Sequence, residues 1–445
     1  MTTEPVNRRR FLAAAGGAAA TMVLGTACSS TYDVAGGFIT PASATGSNTI
    51  VYWNLLSGGD GSHMQAMEAT YQHEHPHISL NSTVLTWGNP YYTKLAMATR
   101  AGSPPDVAIM HLSRLSQFAP ANLLTPLDLN LLAAHGMTPS DFTPAAFAKA
   151  HYNGRLLAIP LDTHPFVQYY NTKLCRKAGL LDSSGQLPPI NGPQALLSAL
   201  RKLKATGATP AVCDQINDPA TPWRIFSTLY SQAGGSILAD NGKRIVLDRP
   251  RAIRVLSFID QLAKEGLVQA NCDAAGGIAL FQNGNAGLYW EGEWNVDVFQ
   301  QGGLPFSMQP FPAVFGSGVT QADSHSFVIP AQPHRDPQRI SNVLTMVRTL
   351  LGQSIVWAAG GHIPAWLPTR QSTAYAKLKP QSNYQSVANH VVYDPPAWYS
   401  GSGSNMEEYA GNAVAAVMLG AATPQAAYDE LYSALRNLST QPVPV

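Results

Sequence analysis

Thr49-Ile50-Val51-Tyr52-Trp53-Asn54-Leu55 is a short run rich in β-branched and aromatic residues, and its continuation decides the fold. A turn-forming Ser57-Gly58-Gly59-Asp60-Gly61 leads into a stretch with Met64, Met67 and Tyr71 at helical spacing. A second β-rich run covers residues 78–85. Strand, helix, strand is a βαβ unit. A further helix is expected over residues 91–101, with Tyr91, Leu95 and Ala98 on one face. It stops at Gly102, and Pro104-Pro105-Asp106 introduces a strand over 107–110. Strands alternating with helices imply parallel sheets, so the fold class is α/β.

The alternation continues, with strand character over 158–166 and 286–290 and helices over 194–205, 222–233 and 250–265. The tail, residues 338–351, 412–419 and 424–438, reads as helical, with one polar side over 405–418. About 400 residues beyond the leader exceed what one hydrophobic core usually serves, so two lobes are expected.

The N-terminus has the layout of an export signal: Arg8-Arg9-Arg10-Phe11-Leu12, an Ala/Gly-rich apolar stretch to Leu24, then Gly25-Thr26-Ala27-Cys28. Consecutive arginines before Phe-Leu fit the twin-arginine route. Small residues before Cys28 fit a lipoprotein cleavage box, although Leu24 stands one step further back than usual, so the expectation is a lipid on Cys28. Residues 29–48 are rich in Ser, Thr, Ala and Gly and read as a flexible leash. The chain is then lipid-anchored on the outer face of the cytoplasmic membrane and touches the membrane through that anchor only.

With 28 Lys+Arg against 27 Asp+Glu, the balance gives no footprint for nucleic acid. Setting Cys28 aside leaves Cys175, Cys213 and Cys272, an odd number that permits one disulfide of three possible pairings. Their wide spacing excludes a zinc ribbon. The histidine-rich His73-Glu74-His75-Pro76-His77 is read as an exposed helix end, and the glycine pairs lack the lysine of a phosphate loop. No Gly-x-Ser-x-Gly elbow is present. Neither cofactor nor metal is expected.

Several segments, in order, resemble the extracellular solute-binding proteins of carbohydrate-type ABC importers, which include maltose- and glycerophosphodiester-binding proteins. They are the Trp53 run with its glycine loop; Ser103-Pro104-Pro105-Asp106-Val107; Tyr152-Asn153-Gly154-Arg155 through Tyr169-Tyr170-Asn171; Gln232-Ala233-Gly234-Gly235; Phe281-Gln282-Asn283-Gly284-Asn285-Ala286-Gly287 through Trp294; and Gly360-Gly361-His362-Ile363-Pro364-Ala365. The resemblance implies a two-lobed periplasmic-binding-protein fold of type II, with hinge-linked parallel-sheet lobes and a ligand cleft between them. The expected division is a signal over 1–27, a tether over 28–48, one lobe over 49–160 and 324–367, and a second over 161–323 and 368–445. It further implies a monomer that captures a carbohydrate by lobe closure and delivers it to the transmembrane subunits of an ABC permease, without catalysis.

The site expectations rest on residue chemistry and on the resemblance. The apolar run before Asp162-Thr163-His164-Pro165 breaks where the chain crosses between lobes, which makes Asp162 and His164 candidates. In Tyr289-Trp290-Glu291-Gly292-Glu293-Trp294, alternation cannot place both tryptophans and both carboxylates on one face; the resemblance selects Glu291 and Trp294 for the cleft and leaves a tryptophan to the core. Asp60, Trp87, His111, Ser113, Trp223, Gly361, Trp366 and Tyr399 complete the set, because their loops come after strand ends or glycine turns. Each tryptophan also fits a core position, as does His111. The carboxylates outnumber Arg114 and Arg224, which favours a neutral or amino sugar over the alternative, a glycerophosphodiester or phosphorylated polyol. The rival of another class is a secreted lipoprotein glycoside hydrolase built on Glu291 and Glu293.

Overall fold

The computed structural model describes residues 41–214, 218–269, 271–332 and 336–443. The export signal, Cys28 and most of the expected tether lie outside the described residues. Among the described residues, no helix is long and apolar enough to cross a membrane.

The opening βαβ unit forms as expected: strand Thr49–Asn54, helix Gly58–Glu74, strand Ser79–Val84, with the two strands parallel and paired from Thr49–Ser79 to Asn54–Val84. Val107–His111 joins Thr49–Asn54 on the other side, also parallel. His325–Val328 and then Ile159–Pro160 complete a five-stranded sheet, both antiparallel to their neighbours. The helix Pro337–Gly352 buries Val343, Leu344, Met346, Val347, Leu350 and Leu351 against this sheet's core.

The second sheet is larger and is built on Asp162–Asn171, ten consecutive buried residues. A strand buried along its whole length is one covered on both faces. Its neighbours are Ala286–Gly292, Thr320–Asp323, Phe306–Pro310 and Ile363–Pro364, every one antiparallel to it. Beyond Ala286–Gly292, the strands Thr209–Val212 and Val268–Gln269 run parallel. Helices Pro193–Ala205, Ala220–Gln232, Arg249–Lys264, Asn405–Met418 and Pro424–Thr440 pack on this sheet. The expectation of parallel sheets therefore holds for three strands in each and for the pair Thr320–Asp323 with Val391–Val392 in the second. Strands that arrive from the other lobe enter in reverse and make both sheets mixed.

Those crossings matter most for function. Ile159–Pro160 belongs to the first sheet, Asp162–Asn171 to the second, and Leu161 alone separates them. Thr320–Asp323 and His325–Val328 repeat the arrangement in reverse around Ser324. Ile363–Pro364 then pairs with Thr163 and Asp162. Three remote parts of the chain thus meet where the sheets join. Cys175 and Cys272 are free thiols, and every pairing of the three cysteines needs one of them, so the disulfide that the count permits is not made.

Candidate functional site

The floor of the site is Asp162. It is fully buried at the head of the long strand. Its carboxylate accepts from the His325 backbone N–H at 2.8 Å and from Trp357 Nε1 at 2.7 Å, and faces His325 Nδ1 at 2.7 Å and His164 Nδ1 at 3.1 Å. Burial alone raises a carboxyl pKa, but the His325 and His164 partners outweigh it and hold Asp162 well below the usual range. Burial and the neighbouring His325 push His164 down to about 4. His111 is lowered for the same reasons, in contact with Tyr92 Oη at 2.5 Å and with the His325 ring centroid at 4.8 Å.

His362 links this floor to both lobes. Its Nε2 meets Asp60 Oδ1, at the first turn of the opening helix, at 2.9 Å. Its Nδ1 lies 2.9 Å from Glu293 Oε1 and 3.4 Å from Asp162 Oδ2, while the ring stacks on Trp357 at 4.2 Å. Burial lowers the His362 pKa, yet Asp60 and Glu293 more than reverse it. Glu293 is pushed up to about 7 by burial. Gly361 lets the chain pass: its φ is +117°, and a methyl group there would collide with the Glu293 backbone.

The wall is built around Glu291, the penultimate residue of Ala286–Gly292. Arg224 Nη1 donates to it at 3.0 Å, the Thr221 hydroxyl donates to it, and the Gly292 N–H donates at 2.8 Å. The Arg224 guanidinium lies 4.9 Å from the centre of the Trp294 ring, a cation–π distance. Burial raises Glu291 despite Arg224, and burial together with Glu291 raises Asp214 to about 8. Trp294 stands between wall and floor, 6.3 Å from His164 by ring centroids.

Other predicted residues sit around this centre. The Ser113 hydroxyl donates to Asp323 and accepts from the Ser402 N–H at 3.0 Å. Trp87 is 45% exposed, and near it Asn89 Nδ2 reaches Asn405 Oδ1 of the second lobe's helix at 2.9 Å. His63 Nε2 meets Asp297 Oδ2 at 2.6 Å across the same junction.

Three predicted residues are set apart from this group. Trp366 packs in the first core against Phe142 and Arg348. Tyr399 packs in the second core and donates to the Gly242 carbonyl at 2.6 Å. Trp223 is fully buried there, donating to Asp394 at 2.9 Å. Trp290 is the core tryptophan of its segment. Sequence reasoning did not select His325, Trp357 or His362. The signal for His325 was weak, one polar residue after Asp323-Ser324; His362 was visible inside the glycine-pair segment.

The comparisons bear on the family and the fold of the chain. The family described as bacterial extracellular solute-binding protein matches residues 57–333. The maltotriose-binding protein of Pyrococcus abyssi is 22% identical over 282 residues, covering 61% of this chain and 55% of that protein. The arabinooligosaccharide-binding protein of Bacillus subtilis is 26% identical over 191 residues, covering 42% and 41%. The chain spans about half the length of the curated relatives it matches. Among solved structures, the GacH receptor of Streptomyces glaucescens, studied unliganded and with acarbose, superposes with a TM-score of 0.73 at 18% identity over 88% of this chain and 98% of that one. The sugar-binding protein MalE of Xanthomonas citri gives 0.72 at 18% identity over 88% and 96%. These likenesses establish the shared two-lobed α/β fold.

Proposed function

Because the chain belongs to the bacterial extracellular solute-binding protein family, we propose that it captures a carbohydrate between its lobes and hands it to an ABC permease. The observation that carries the sugar reading is Trp294, an aromatic face beside the buried Arg224–Glu291 pair and above the Asp162 network. Aromatic faces stack on the apolar faces of pyranose rings while fixed polar groups select hydroxyls. The names of the relatives, a maltotriose binder and an arabinooligosaccharide binder, support an oligosaccharide.

Charge narrows the ligand. Asp214 and Asp218 cluster with Glu291, which already engages the cation Arg224, while Asp60 and Glu293 face His362. A phosphorylated ligand needs unengaged cations or helix N-termini. A neutral or amino sugar is therefore the proposed class. Glu291 is not placed as a glycosidase nucleophile, because its oxygens are committed to Arg224, Thr221 and Gly292. The lobe division is kept at 160/161, 323/324 and 367/368; the separate cores follow it except at Leu161, which packs in the first core, and Ile363, which packs with Val167 and Tyr169 of the second lobe. Also kept is a monomer tethered by a lipid on Cys28 after twin-arginine export, held near the permease at raised effective concentration.

Calorimetric titration of the purified protein with neutral, amino and phosphorylated sugars tests the reading. Saturable one-to-one binding of a neutral or amino sugar, with no product released on long incubation, is the expected result. Tight binding of phosphodiesters alone, or turnover that disappears in Glu291→Gln, would overturn it.

A further inference from the structure

We propose that Asp162, His164, His325 and His362 form a site for one divalent transition-metal ion of the zinc type, at the point where the lobes join. The four side chains are buried and their potential ligand atoms all lie within 4.8 Å of one another. They come from three separate chain crossings. A tetrahedral zinc with bonds of about 2.0–2.1 Å holds its ligand atoms about 3.3 Å apart. The spacings here are 2.7 Å from Asp162 Oδ2 to His325 Nδ1, 3.4 Å from the same oxygen to His362 Nδ1, and 3.1 Å from the other oxygen, Oδ1, to His164 Nδ1.

The second observation concerns the space between His362 and its acidic neighbours. Asp60 engages Nε2, which is how an outer carboxylate fixes an imidazole so that the other nitrogen faces a metal. That other nitrogen, Nδ1, has carboxylate oxygens of both Glu293 and Asp162 within 3.4 Å. Neither Nδ1 nor the Glu293 oxygens are aligned for a hydrogen bond with any described residue, although both side chains are fully buried. Two buried carboxylates converge on Nδ1, so that point needs a cation, which is either the proton of a His362 imidazolium or a metal ion. A proton on Nδ1 satisfies only a collinear acceptor, whereas a metal ion binds donors arranged around it. Imidazole and carboxylate donors together suit zinc, cobalt, nickel or copper and not calcium or magnesium, which take oxygen.

Metal uptake would replace the Nδ1 contacts of His164 and His325 with Asp162; a neutral ring then carries its single proton on Nε2, and only a ring that was imidazolium beforehand would release a proton to solvent. Asp162 becomes a ligand, with Trp357 Nε1 donating to it from outside. Because the ligands bridge the crossings, the ion ties the two sheets together at the base of the cleft.

The test uses tag-free protein stripped with a chelator and titrated with Co²⁺ alone, then Zn²⁺. The expected result is one Co²⁺ per chain with the visible absorption of a four-coordinate ion, bleached by one equivalent of Zn²⁺, and a melting temperature raised by several degrees. His164→Ala/His325→Ala should abolish uptake, while His73→Ala/His77→Ala, in the exposed turn, should leave it unchanged. No saturable uptake by the unaltered protein, or uptake lost with the exposed turn, would overturn the site. Should the double variant fail to fold, X-ray absorption on the zinc-loaded unaltered protein decides: three imidazoles support the assignment, and one or none contradicts it. No readout involves a sugar, so this inference stands or falls apart from the carbohydrate reading.

Discussion

At the residue scale, the site depends on a few side chains whose neighbours cannot be exchanged. Glu291→Gln leaves the Arg224 guanidinium buried without its nearest counter-charge, and breaking such a pair costs about 3 kcal/mol. Urea unfolding of the variant should show that loss. Gly361→Ala forces a side chain into a positive-φ position against the Glu293 backbone, with an expected cost of about 1–3 kcal/mol by the same measurement. Glu68, away from the cleft, gives a pH prediction. Burial raises its carboxyl to about 7 from 4.5, against a hydrogen bond from Ser82 that lowers it. The folded state then binds the proton more tightly than the unfolded one, so this group's stabilisation is complete below the unfolded value and is lost as pH rises through about 7. Glu68→Gln should flatten the decline in melting temperature between about pH 4.5 and 7; an unchanged slope would contradict the assignment. Asp162 and His164 were legible because a polar pair interrupts an apolar run. His325 was not, since its contact with Asp162 spans 163 residues and no local pattern announces it.

At the scale of elements, the sequence showed what periodicity and turn chemistry encode. The opening strand, helix and strand arise from β-branched content, the glycine turn and the spacing of Met64, Met67 and Tyr71, and the structure reproduces them. Sheet direction is not local information. Asp162–Asn171 is antiparallel to its four neighbours because the crossings feed strands back from the other lobe. Trp366 and Tyr399 lie in cores for a related reason: an aromatic after a glycine turn fits a cleft edge and a core equally well, and only packing decides. Elements of both lobes also meet directly, the opening helix through His63 to Asp297 and the Asn89 helix to Asn405. If this contact belongs to the sugar-bound state, Asp297→Asn should weaken the partly exposed pair and lower sugar affinity by about two- to fivefold, within the range of such surface pairs. Calorimetry checks this, and unchanged affinity would mean that the contact does not contribute to closure.

At the scale of the molecule, two mixed sheets joined by short crossings place polar side chains at their junction, where the proposed function puts the solute. A ligand bound there favours the closed state by its differential affinity for it. The crossings also explain how the floor carries a buried carboxylate that neither sheet alone would satisfy: Asp162 on one crossing is met by the backbone and ring of His325 on another. The central claim is that the protein holds a sugar between its lobes on Trp294. A crystal structure with the tightest-binding sugar of the calorimetric panel tests it most directly. The expected result is a pyranose ring stacked on the Trp294 indole and hydrogen-bonded to side chains of both lobes. A sugar held by one lobe only, or away from Trp294, would contradict it.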